Sequence, residues 1–200
     1  YIPLEKKSHP MIKNDQAFNI IVAGNIGHAQ GLDILPKAAL LLKEKKLSRR
    51  IRFNLVGDGR FKMELLDIVD RYHVSDMFHF IDKQPANTIP EMMAACDAAF
   101  LSLIDSPLFA MTIPAKLQSY MACGMPIIAS ANGETSRIIH ESNSGFHAPA
   151  GDAQQLALII MEIISKPQEQ LKQLGTNARA YYDKQFNKQE LLKRMDAYFG

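Results

Sequence analysis

Lys116 heads an apolar helical run, Lys116-Leu-Gln-Ser119-Tyr-Met-Ala-Cys, that follows the turn Thr112-Ile113-Pro114-Ala and stops at Gly124. A cation at a helix start opposes the macrodipole, so this position fits an anion ligand better than a stabilising role. Two glycine clusters supply the complementary chemistry. Gly24-Asn25-Ile-Gly27-His-Ala-Gln30-Gly31 and Gly57-Asp58-Gly59 each follow a short apolar run. Glycines there let the backbone approach a phosphate, and a following helix start offers unpaired N–H donors. Taken singly, each cluster is a tight strand-to-helix turn. Two such turns on one sheet edge point to a crevice for a nucleotide or phosphosugar. Arg60 and Lys62 are the other cations placed to meet phosphate. The glycine spacing is not that of dinucleotide sites, and no acid closes the next strand to grip a ribose.

Other reactive constellations are missing from the sequence. The histidines show no i, i+4 spacing, so no metal is expected. Ser102, Ser106 and Ser119 lack the context of a nucleophile elbow. Asp97 reads as a cap or turn residue, and Glu134 as either a ligand contact or a helix start. Cys96 and Cys123, far apart in apolar helical contexts, read as small core residues.

The elements that must position these residues follow from periodicity. Apolar, β-branched runs predict strands at Phe18–Ala23, Ile51–Val56, Phe78–Ile81, Ala98–Leu103, Pro126–Ala129 and Gly145–Ala148. Helical spacing predicts helices over 32–45, 62–72, 89–95 (capped by Asn87 or Thr88), 116–123, 136–141, 153–165, 168–185 and 188–198. Strand and helix alternate throughout, and the strands are short and predominantly apolar. The fold class is therefore α/β, a Rossmann-like doubly wound parallel sheet with helices on both faces.

Bulk properties narrow the function. The chain has 200 residues, enough for one full domain. A net charge of +2 is too small to argue for nucleic acid, and no basic face with interleaved aromatics occurs. The basic stretch from Lys43 to Arg50 reads as a solvated helix end. No apolar stretch is long enough to span a bilayer, and two cysteines favour a cytoplasmic setting. The polar, Pro-punctuated residues 1–16 read as an interdomain linker, which makes 17–200 the domain and the chain a fragment of a longer protein.

Taken together, the motifs resemble the C-terminal, donor-binding domain of GT-B glycosyltransferases of family GT4, over residues 18–199. The family's first glycine turn is similar to Ala23-Gly24-Asn25-Ile-Gly27, and its "VGxG" element to Val56-Gly57-Asp58-Gly59. Met93 to Ser102 resembles the strand before its catalytic loop. Ser119-Tyr-Met-Ala-Cys-Gly124-Met-Pro-Ile-Ile-Ala129 resembles "EAMACGxPVIA", and Gly133-Glu134 through Asp152 the later "GxxExI…GxxxxxxD" pattern. Five motifs occur in the family's order.

The departures matter as much. The family's paired glutamates fall on Met111 and Ser119, and its phosphate-facing Arg and Lys fall near Asn25 and Gln30. The "GNIGxAQG" loop with a "TxPxKL" helix start resembles a subgroup of O-antigen and capsule amino-sugar transferases, in which Lys116 would replace the missing cation. The resemblance implies a retaining sugar transfer from a nucleotide sugar, with UDP as the expected nucleotide and no cofactor. It implies donor contacts from Gly24, Asn25, Gly27, Gln30, Gly57, Gly59, Arg60, Lys62, Lys116 and Ser119. Phe80 and Ile81 would present backbone to the base, with Lys83 nearby, and Met111, Thr112 and Ile113 would border the sugar. No catalytic residue is expected here, because the acceptor site belongs to an N-terminal domain that is the implied partner. Any peripheral contact with the inner membrane face would also be that domain's. A non-catalytic nucleotide-binding subunit, half of a UDP-sugar epimerase, and a regulator without a sugar ligand are the alternatives. The epimerase would need cleft carboxylates and histidines that this loop lacks.

Overall fold

The computed structural model describes residues 7–13, 16–45 and 47–199. Residues 1–6, 14 and 15 of the expected linker lie outside the described residues. Six strands, β1 (Phe18–Ala23), β2 (Ile51–Val56), β3 (Phe78–Ile81), β4 (Ala98–Ser102), β5 (Ile127–Ser130) and β6 (Gly145–Ala148), form one sheet. Its order is β3-β2-β1-β4-β5-β6, with every pairing parallel. Every residue of β1, β2, β4 and β5 is buried, as covering of both faces requires.

Among the described residues, six α-helices lie between the strands, α1 (Ile34–Lys43), α2 (Lys62–Arg71), α3 (Ile89–Ala94), α4 (Pro107–Ala110), α5 (Ala115–Ala122) and α6 (Glu134–Ser142), and three follow the last strand, α7 (Ala153–Ser165), α8 (Gln168–Gln185) and α9 (Lys188–Phe199). Residues of α1, α2 and α7 pack on one sheet face around Phe18, Phe53 and Phe100. Residues of α3, α5 and α6 close the other face around Ile21, Ala99 and Tyr120. Alternation along β1 explains the split, since Phe18, Ile20 and Val22 join the first cluster while Ile21 and Ala23 join the second.

The elements missing from the sequence reading are α4 and two 3-10 turns, His28–Gln30 and Ser75–Met77. At α4, Ser106 is extended and Pro107 starts the turn, but four residues are too short to show a periodic pattern. The cap expected of Asn87 or Thr88 also differs. Thr88 holds the N-cap position, yet its hydroxyl donates to the Pro85 carbonyl at 2.8 Å and makes no cap bond. Glu134 does begin α6, where it pairs with Arg137 at 2.7 Å. Asp97 is buried and accepts the Asn19 N–H at 2.8 Å, fixing the start of β1. The described part of the expected linker is held against the domain: Lys7 N–H donates to Ala94 at 3.1 Å, and Ile12 is buried.

The strand order turns around between β1 and β4, and there the pairing is short. β1 matches β2 over six residue pairs but β4 over only Ile20–Ala98 and Ile21–Ala99. Past Ile21 the two strands part, leaving the end of β1 without a strand partner on that side. Tyr120 of α5 fills the gap. Its fully buried hydroxyl accepts the Ala23 N–H at 3.0 Å and lies 3.4 Å from the Ala23 carbonyl. Burial pushes its phenol well above the ordinary range. Tyr120→Phe strips the buried Ala23 amide of its partner, so a loss of about 1–2 kcal/mol in urea unfolding is expected. An unchanged unfolding midpoint would show that water takes over this bond.

Candidate functional site

The parting of β1 and β4 is the switch point at which open α/β sheets hold ligands beyond the carboxyl ends of their strands. A cleft of about 650 Å³ opens there. Its floor is the Gly24 turn after β1 and the Gly57–Gly59 turn after β2, one wall is α5, and the opposite wall is the 83–93 segment. This is enough volume for a nucleotide-sized ligand.

The two glycine turns form one backbone surface. Gly24 N–H donates to Val56 at 2.9 Å, Ile26 N–H to Asp58 at 2.8 Å, and Phe61 N–H to Ile26 at 3.1 Å. Such contact leaves no room for side chains. A Cβ on Gly57 would lie 2.0 Å from the Gly24 oxygen, and one on Gly59 2.2 Å from the Ile26 oxygen. The glycines thus serve close backbone approach between turns, and this flattens the cleft floor.

The α5 wall presents Lys116, Ser119, Tyr120 and Cys123, residues at i, i+3, i+4 and i+7 on one helix face. Pro114 is extended before the helix, and Leu117 and Gln118 return their N–H groups to its carbonyl. The Ala115 and Lys116 amides thus precede the first intrahelical bond, and both residues line the cleft.

Lys116 is the chemical centre. Its Nζ donates to the Asn25 carbonyl at 3.1 Å, and its side chain lies against Gly24. No carboxylate pairs with it among the described residues. Burial pulls its ammonium down to about 8 from an ordinary 10.5. A half-buried cation satisfied only by a carbonyl is costly to keep, and an anionic ligand relieves that cost.

The structure brings seven of the sequence-expected residues to this cleft: Gly24, Asn25, Gly57, Gly59, Lys83, Lys116 and Ser119. The others lie beside it. Gln30 braces the first turn, its Oε1 accepting the Gly27 N–H at 3.0 Å. Lys62 is paired with Asp82 at 2.8 Å, and Arg60 is exposed past the Gly59 turn. Phe80 stacks against Phe78 and the Ile81 carbonyl accepts the Gly57 N–H at 3.0 Å, while Lys83, expected nearby, lines that wall with Gln84 and Ala86. Thr112 and Ile113 are exposed outside the cleft, with the Thr112 hydroxyl donating to Phe109 at 3.0 Å.

Sequence reasoning missed Tyr120, Cys123 and the apolar inner wall of Ile89, Pro90 and Met93. Extending the helical spacing beyond Ser119 would have found the first two. The inner wall has no such signal, because an apolar cleft wall and an apolar core look alike in sequence. No cluster of His, Cys, Asp and Glu able to hold a metal occurs among the described residues, and none of their helices is long and apolar enough to cross a membrane.

Residues 5–181 match the family model described as "Glycosyl transferases group 1". The chain belongs to that family. Two relatives are informative. The "Probable glycosyltransferase WbjE" of Pseudomonas aeruginosa is 30% identical over 171 residues, covering 80% of this chain and 40% of that protein. The amylovoran biosynthesis glycosyltransferase AmsK of Erwinia amylovora is 24% identical over 173 residues, 86% of this chain and 42% of its own length. The chain thus spans about two fifths of the curated relatives it matches. Among solved structures, Anabaena HepE in complex with UDP superposes with a TM-score of 0.74 at 22% identity, over 91% of this chain and 49% of that one. The likeness shows that the glycosyl transferases group 1 chain has the same fold.

Proposed function

We propose that this chain is the nucleotide-sugar donor-binding half of a retaining glycosyltransferase of bacterial surface-polysaccharide synthesis. The carrying observation is Lys116, a half-buried ammonium without a carboxylate, set over a backbone cradle at the switch point of the sheet. A diphosphate placed there meets Lys116 and the first amides of α5, and its two negative charges offset the buried cation. The names of the relatives, one of them in amylovoran biosynthesis, and the UDP held by HepE support the reading.

The chemistry the cleft offers is electrostatic. When the sugar leaves, charge grows on the diphosphate, and Lys116 and the helix amides stand ready to stabilise it without a protein nucleophile. The acceptor and its base belong to polypeptide outside this chain, so the chain binds the donor and transfers nothing alone. Calorimetric titration with UDP, GDP and ADP tests this. One diphosphate, expected to be UDP, binds at one site, and its nucleoside alone binds at least tenfold more weakly. Failure of all three to bind overturns the reading.

A further inference from the structure

We propose that this cleft accepts 2′-deoxyribose as readily as ribose, so that its donors include sugars linked to deoxynucleoside diphosphates. This rests on the reading above, with the diphosphate at Lys116. On α5, Ser119 stands one turn beyond Lys116, about 4.5 Å along the axis. A nucleotide running inward from the α5 start, towards Ile89, Pro90 and Met93, places its pentose opposite Ser119.

In dinucleotide sites of doubly wound sheets a carboxylate holds the ribose 2′-hydroxyl. Such sites reject the deoxy sugar because that buried acceptor is then left unpaired. On α5 the pentose position meets the Ser119 hydroxyl, which is half-exposed and can turn to water, and the other polar lining side chains, Asn25, Lys83 and Gln84, are exposed or half-exposed and can do the same. The Tyr120 hydroxyl is already engaged by Ala23. The one carboxylate among the described lining residues, Asp58, is on the floor turn, where its Oδ1 accepts the Gly59 N–H at 2.9 Å. Asp58 is exposed, so water replaces any hydroxyl it loses. Nothing in the cleft is stranded by removing the 2′-hydroxyl.

Titration of the chain with UDP and dUDP isolates that one hydroxyl, and TDP adds the methylated base. The expected result is a dUDP-to-UDP ratio of dissociation constants below five, with TDP within the same range. A ratio of five or more overturns the proposal while leaving diphosphate binding intact, whereas no binding by UDP strikes the underlying reading. Ser119→Glu puts a carboxylate at the pentose position. It is expected to weaken both ligands, since it also faces Lys116, but to raise the ratio at least fivefold. A ratio unchanged by Ser119→Glu would overturn the placement of the pentose.

Discussion

Lys116→Gln is expected to weaken UDP binding by about 10- to 100-fold, the range for losing a charge-assisted contact to phosphate. The glutamine keeps a donor for the Asn25 carbonyl and removes only the charge, which separates electrostatics from packing. The pH profile sharpens the test. In the empty cleft the ammonium stands near 8, held down by burial, and a bound diphosphate raises it. Ligand binding therefore takes up a proton above pH 8. UDP affinity should be nearly flat between pH 6.5 and 7.5 and about tenfold lower at pH 9, while Lys116→Gln shows no such fall. Affinity that is independent of both the substitution and pH would remove Lys116 from the site.

The same lysine acts on stability in the opposite direction. Its folded-state value lies below the unfolded one, so the unfolded chain holds the proton more tightly. The resulting destabilisation is fully present below pH 8 and fades as pH rises towards 10.5. Lys116→Gln should therefore stabilise the unliganded chain at pH 7 by about 1 kcal/mol, part of the charge being still solvated. A residue whose loss strengthens the fold and weakens the ligand is kept for the ligand.

Gly57→Ala carries the largest expected effect on the fold. Gly57 sits at φ +149°, and a methyl there would lie 2.0 Å from the backbone oxygen of Gly24. Neither backbone can give way cheaply, because each is the end of a fully buried central strand. A loss of about 3 kcal/mol or more is expected in urea unfolding, and with it the loss of UDP binding. Gly151→Ala is the control. Gly151 also has a positive φ, +80°, but nothing lies within 4 Å of its added Cβ. It should cost only about 1 kcal/mol, the strain of the backbone itself, and leave UDP binding unchanged. Equal costs at the two positions would mean that contact between the turns is not what Gly57 protects.

These expectations show what was legible in the residues and what was not. β1, β2, β3 and β6 coincide with their expected runs, and Gly24, Gly57 and Pro149 mark where β1, β2 and β6 stop. Lys116, Gly24 and Gly57 were visible as site residues because a cation at a helix start and glycines at strand ends both run against local preference. The short helix α4 was not visible, since four residues give no period. Nor was the role of Tyr120, which depends on β1 and β4 parting after two residue pairs. Arg60 and Lys62 share the lysine's chemistry, but Lys62 turns to Asp82 and Arg60 stays in solvent, a matter of backbone direction that sequence spacing does not carry.

The central claim is that a nucleoside diphosphate binds between the two glycine turns and the start of α5. The most direct test follows the backbone amide resonances of the chain during a titration with UDP. The account predicts saturable shifts concentrated at Gly24, Asn25, Gly57, Gly59, Ala115 and Lys116, with Lys116→Gln needing far more UDP to reach them. Saturating UDP that leaves these amides unmoved, or shifts residues elsewhere on the domain, would contradict it.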